Sequence, residues 1–194
     1  MGTLFDKLEA HDGPPEDAAL ASSLWDAFGC ERTVVVVDMA GFTRTSLEHG
    51  VVYYLTLIRD MRRLTCPLVE SEGGRVVKCE ADNLFAVFTE PIEAWRFLKR
   101  AYAATAEANK GMEASAQIHL SAGVDHGRIL LDESDFFGDA VNLASRLGED
   151  LARRGEVLVS EEAWVRLPGE RGEFTEVVNE GLHGPTRKIY RWER

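Results

Sequence analysis

The chain has 194 residues, 45% of them hydrophobic and 28% charged, with a formal net charge of −11. That size and balance fit one globular domain with a real core, and the acidic excess excludes a broad nucleic-acid surface. No apolar run reaches the length of a membrane span, and the N-terminus lacks the order of a signal peptide, so a cytoplasmic protein is expected.

Residues 1–32 read as an N-terminal arm with a short helix, and residues 33–194 as the main domain. Asp17 or Glu16 starts the helix, which carries Leu20, Leu24, Trp25 and Phe28 on its apolar side. A valine run predicts a strand over 33–38, buried on both faces, with Asp38 at its exit and Gly41 in a tight turn. A helix is expected over 46–69, with Leu47, Val51, Tyr54, Leu55, Ile58, Met61 and Leu64 at helical spacing. Gly73 and Gly74 make a turn into a hairpin with arms at 75–79 and 83–89 and Ala81, Asp82 and Asn83 at the bend. Pro91 opens a second long helix that Gly111 stops. The stretch after residue 115 predicts a strand, a turn from Asp125 to Gly127 and another strand. A third helix follows, capped by Asp139 and stopped by Gly155. A strand at 156–160, a short helix at 161–167 and a final β pair complete the chain. The first half has the split βαβ order of a ferredoxin-like βαββαβ core, within an α+β domain carrying one sheet with helices on one face and an added C-terminal helix and strands.

Asp38 and Asp82 occupy neighbouring turns in such a core. Each can be an ordinary turn aspartate accepting backbone bonds. Together they can also hold magnesium, which takes few carboxylates and keeps waters and substrate phosphates in its shell. Asn142 and Arg146 stand four residues apart on one helix face. They are either a solvated surface or a donor pair for a sugar oxygen and a phosphoryl group. The loop before that helix holds three acids, Asp132, Glu133 and Asp135, none preferred by spacing. Cys30, Cys66 and Cys79 lack metal-ligand spacing and are expected to be free and buried, and the five histidines form no zinc motif.

The segments VVVVDMAGFT, VVKCEADNLFAVF and FFGDAVNLASRL resemble, in order, the three signature segments of the class III nucleotide cyclase catalytic domain, the adenylate and guanylate cyclase family. The likeness runs over about residues 33–190. It implies the class III cyclase catalytic fold and a head-to-tail homodimer whose active sites draw on both chains. It further implies two ions, Mg²⁺ or Mn²⁺, on Asp38 and Asp82. The base-selecting lysine corresponds to Lys78 and its partner aspartate to Asp135, a combination that suits ATP over GTP. The ribose-orienting asparagine corresponds to Asn142 and the transition-state arginine to Arg146. Two departures stand out: Ala81 replaces the family's usual glycine, and no lysine falls between Phe174 and Arg187, where the family has a phosphate contact. The resemblance leaves open a weakly catalytic nucleotide-binding or regulatory module, and a cyclase for GTP or a pyrimidine nucleotide. With no sensor or membrane helix legible, regulation is expected from residues 1–32, from another protein, or from substrate and metal.

Overall fold

The valines at 34–37 are all fully buried. Successive strand residues point to opposite faces, so burying all four requires cover on both sides of the sheet. The computed structural model, which describes residues 3–14, 17–41, 47–167, 169–177 and 188–194, provides that cover. The helices are α1 (Leu4–Glu9), α2 (Ala18–Phe28), α3 (Val51–Ser71), α4 (Pro91–Ala108), α5 (Asp139–Ser145) and α6 (Glu161–Trp164). The strands are β1 (Gly29–Met39), β2 (Arg75–Glu80), β3 (Asn83–Phe88), β4 (Leu120–Leu131), β5 (Phe136–Phe137), β6 (Glu156–Ser160), β7 (Thr175–Val177) and β8 (Ile189–Glu193). Val35 and Val37 join a core built with α3 and α4, including Tyr54, Met61, Trp95 and Leu98. Val34 and Val36 join a second core with Ala140 and Ala144 of α5. The expectation of helices on one face is thus corrected: α5 covers the other.

The sheet order is β2-β3-β1-β4-β6-β8-β7, with β5 paired to β4. Its first four strands are antiparallel neighbours in the ferredoxin-like arrangement. β6 adds parallel to β4, and β8 and β7 extend the sheet antiparallel. This is the α+β fold expected.

Several local expectations are corrected. β1 begins at Gly29, ahead of Thr33. Residues 120–131 form one unbroken strand, not two joined at Asp125 to Gly127. The polar residues there are held inside: Asp125 Oδ1 accepts from the Ser160 hydroxyl at 2.5 Å and the His126 N–H at 2.8 Å. His126 itself bonds Thr33 and Glu31. These partners come from β1 and β6, so only tertiary pairing makes a buried strand of what reads as a turn. The third helix is capped by Gly138, with Asp139 as its first residue, and the α-helical part ends at Ser145. It widens into a π-helical segment over Arg146–Leu151, and Gly155 lies beyond, in the turn before β6.

The apolar face of α3 is rotated from the one expected. Tyr54, Leu57, Ile58, Met61, Thr65 and Val69 are buried, while Leu47, Val51 and Leu55 are 82%, 58% and 55% exposed. The helix expected from residue 46 begins at Val51, after Gly50 with its positive φ, whereas the start at Asp17, the hairpin arms and the stop near Gly111 agree with expectation.

Candidate active site

β1 delivers Asp38 to its C-terminal end, where Ser121 of β4 is its cross-strand partner. The β2–β3 hairpin delivers Asp82 from the adjoining bend. The bend is tight because Glu80 pairs directly with Asn83, and Ala81 takes a φ of +44° to close it. A positive φ favours glycine, the residue expected here from the resemblance. This chain therefore keeps the bend and bears the Cβ.

The two carboxyls sit at adjoining strand ends: Val37 pairs with Leu84, and the Tyr54 hydroxyl lies 3.4 Å from the Met39 carbonyl and 2.8 Å from Asp82 Oδ2. Burial first, and then the Asp82 charge, raise Asp38 from 3.8 to about 6, although a backbone N–H bond at Met39 works the other way. Glu149 within the π-helical segment adds a further negative charge, and its own pKa is raised, chiefly by burial. Tyr54 of α3 donates its hydroxyl to Asp82 Oδ2 at 2.8 Å. Arg62, two turns on, donates to the Ala81 carbonyl at 2.6 Å. Sequence reading missed Tyr54, Arg62 and Glu149. Tyr54 sat unremarkably in an apolar helical stripe, and nothing local shows that its hydroxyl reaches a hairpin 28 residues away.

The donor set fits a hard divalent cation. It offers carboxylate oxygens, held close at a cost that a positive charge would relieve. Among the described residues no group of three or more His, Cys, Asp or Glu side chains is placed to enclose a metal ion. The arrangement is an open pair, as suits an ion that keeps waters or phosphates in its shell.

Lys78 and Asp135 come from different elements and meet. The β2 bulge between Val76 and Lys78 turns the lysine toward Phe85 and the loop before β5. Its Nζ lies 3.1 Å from Asp135 Oδ1 and 3.1 Å from Glu80 Oε1. Burial disfavours the Lys78 charge, but the bonds to Asp135 and Glu80 outweigh it and raise the pKa. The acidic loop is sorted by its contacts. Asp132 accepts the Leu4 N–H at 2.8 Å and the Glu133 N–H, and Arg75 holds the Asp132 and Glu133 carbonyls. Asp135 alone of the three meets the lysine.

Asn142 and Arg146 lie on the helix that packs across β4 and β1. The Arg146 N–H donates to the Asn142 carbonyl, so the turn that stacks them is α-helical and the widening begins beyond it. The helix approaches the sheet closely because Gly123 and Gly148 face each other. A Cβ on Gly148 would stand 2.7 Å from the Val36 carbonyl oxygen. The expected tail region, residues 178–187 with Glu180, His183 and Arg187, lies outside the described residues.

The description "Adenylate and Guanylate cyclase catalytic domain" matches residues 30–192. Over 128 residues, 66% of this chain, the sequence is 30% identical to "Putative adenylate cyclase 3" of Rhizobium meliloti (strain 1021), of whose length it spans 22%. An adenylate/guanylate cyclase/hydrolase structure from Silicibacter pomeroyi is 26% identical with a TM-score of 0.76, over 86% of this chain and 98% of that one. The guanylyl cyclase Cya2 shares the fold at 17% identity and a TM-score of 0.68, over 84% of this chain and 91% of that one. Among the described residues no helix is long and apolar enough to cross a membrane. A match running through the carboxylate pair, the lysine hairpin and the Asn142–Arg146 helix places the chain in the adenylate and guanylate cyclase catalytic domain family, the class III nucleotide cyclases.

Proposed function

We propose that the chain is an adenylate cyclase, converting ATP to 3',5'-cyclic AMP and pyrophosphate at sites shared between two head-to-tail copies. The observation that carries the metal-assisted reading is the placing of Asp38 and Asp82 at adjoining strand ends, on either side of the Tyr54 hydroxyl that binds Asp82 and reaches the Met39 carbonyl. Two divalent cations, Mg²⁺ or Mn²⁺, held there would supply Lewis acidity, lowering the pKa of the ribose 3'-hydroxyl and neutralising the polyphosphate.

The chain's own residues do the rest. Tyr54 fixes the Asp82 carboxylate through its hydroxyl bond. Asn142 orients the ribose by its amide. Arg146 of the partner copy's face takes the charge that builds on the α-phosphoryl group as the O3'–P bond forms and the bond to pyrophosphate breaks. The choice of ATP rests on the Lys78–Asp135 pair. The ammonium donates to an adenine ring nitrogen and the carboxylate accepts from the exocyclic amine. Guanine would set a carbonyl against that carboxylate. The paired arrangement orients both groups before a base arrives.

The test is incubation of the protein with ATP, GTP, CTP and UTP separately, with Mg²⁺ or Mn²⁺, and separation of the products. Cyclic AMP as the dominant product supports the reading. A dominant cyclic GMP or pyrimidine product overturns the base assignment, and no product with any nucleotide favours a regulatory module.

A further inference from the structure

The three cysteines are free thiols, and each is half-buried, not enclosed as expected. Cys30 packs against the core on the α5 side of the sheet. Cys66 and Cys79 both pack against the opposite core, beneath α3. Two contacts fix how α3 lies along the hairpin: Tyr54 to Asp82 and Arg62 to the Ala81 carbonyl. One helical turn beyond Arg62 is Cys66, about 6 Å along the axis. Two residues back from Ala81 along β2 is Cys79, about 6.6 Å along the strand. The two steps match in length and direction, and they set Cys66 and Cys79 at one level of the α3–β2 seam, facing the same core. The Cys66 S–H bond to Cys79, aided by the Arg62 guanidinium, draws the Cys79 thiol down to about 7 in spite of burial. The same bond, with burial, pushes Cys66 up. A nucleophilic thiolate is thus set beside a protonated thiol, the pairing that thiol oxidation needs.

We propose that Cys66 and Cys79 form a redox-active dithiol that a peroxide oxidises to a disulfide, tying α3 to β2 and slowing the catalytic site beside it. In the first step the Cys79 thiolate attacks one peroxide oxygen. The O–O bond breaks, the other oxygen leaves as water or alcohol after taking a proton, and Cys79 becomes a sulfenic acid. In the second step Cys66 attacks the Cys79 sulfur. The S–S bond forms, the S–O bond breaks, and water leaves with the Cys66 proton. Two thiols lose two electrons and two protons, and the peroxide is reduced. Cys79 is the neighbour of Lys78 and stands three residues before Asp82. Drawing it toward α3 moves both the base-reading and the carboxylate positions. The effect on turnover rests on the cyclase reading above. The disulfide does not.

The experiment uses the full chain carrying Cys30→Ser, treated with hydrogen peroxide and then digested with trypsin. Cleavage after Arg63, Arg75, Lys78 and Arg96 leaves the two cysteines in separate peptides. A bridged pair spanning residues 64–75 and 79–96 is expected, together with the loss of two hydrogens from the intact monomer mass. In Cys66→Ser the sulfenic acid at Cys79 is expected to persist and to be trapped by a 1,3-dicarbonyl reagent. Oxidised protein should melt at a higher temperature than reduced protein. Its turnover should fall about tenfold or more, since displacements of this size are costly to catalysis, and a dithiol reductant should restore it. Absence of the bridge, a bridge only between chains, or label on Cys66 in place of Cys79 would overturn the proposal. A bridge with unchanged turnover would overturn its catalytic half. A reduced protein that forms the bridge but makes no cyclic nucleotide would count against the proposed function alone.

Discussion

Replacing Asp38 by Asn should abolish turnover and, without metal, make the protein more stable. Asp38 is displaced from 3.8 to about 6, first by burial and then by the Asp82 charge. Such a displacement corresponds to ~3 kcal/mol against the ionised form. Solvent screening at this half-buried position reduces it to ~1–2 kcal/mol. The folded pKa is raised above the unfolded one, so folding favours the protonated acid. The stability that this brings is complete below pH 3.8, and it is lost as pH rises through about 6. Asn keeps the shape, stays neutral, and can donate to Asp82. Thermal melting of both proteins should be followed in chelator from pH 4 to pH 8. The curves should nearly meet at the acid end and separate toward neutrality, the variant melting roughly 2–8 °C higher above pH 6. Excess Mn²⁺ should then raise the wild type, by about 2.7 kcal/mol at a hundredfold excess over its dissociation constant, and leave the variant almost unmoved. Superimposed curves in chelator, or a variant less stable at neutral pH, would refute the reading of the pair as acids held together at a cost. Equal stabilisation by Mn²⁺ would remove Asp38 from the metal site.

Tyr54→Phe should cost about 1 kcal/mol of stability and lower turnover several-fold without changing base preference, because it frees Asp82 from a 2.8 Å bond; wild-type kinetics would show that the hydroxyl does not position the carboxylate. Mixing inactive Asp38→Asn and Arg146→Ala proteins should recover activity after subunit exchange, as one site of each mixed dimer keeps all its groups; no recovery with exchange demonstrated by mass would contradict a shared site. The double variant Lys78→Glu, Asp135→Cys should lose far more kcat/KM for ATP than it gains for GTP, since the adenine edge is left unpaired, and an unchanged preference would take both residues out of base reading. Gly148→Ala should destabilise the fold by ~1–3 kcal/mol in denaturant melts, because its Cβ would press on the Val36 carbonyl and on the Gly123 N–H, 2.8 Å away; an unshifted midpoint would show that the helix can lift at no cost.

The elements that carry the site were legible in the sequence because their signals are local. Valines at 34–37 specify a doubly covered strand, and the turn signalled by Gly41 places Asp38 near its exit. The short linker around Ala81 specifies a hairpin and hence the position of Asp82. The spacing of Asn142 and Arg146 specifies a shared helical face, whatever the helix packs on. Misreadings came where distant groups reverse a local preference. Asp125 and His126 suggest a turn until Ser160, Thr33 and Glu31 satisfy them inside a continuous strand. The buried stripe of α3 depends on where the helix leaves the sheet, which its periodicity alone does not fix.

What tertiary structure decided is the chemistry between elements. Spacing could not choose among Asp132, Glu133 and Asp135; Leu4 and Arg75 engage the loop at Asp132 and Glu133, and Asp135 is the one that meets Lys78. It could not show that Tyr54 holds Asp82, nor that Cys66 and Cys79, 13 residues apart on a helix and a strand, share one microenvironment. The physical reason is range. Backbone propensity and side-chain periodicity act over a few residues and are written in them. Proton affinity, thiol reactivity and ion affinity depend on burial and on charges a few ångströms away, which exist only once strands and helices distant in the chain have been brought together.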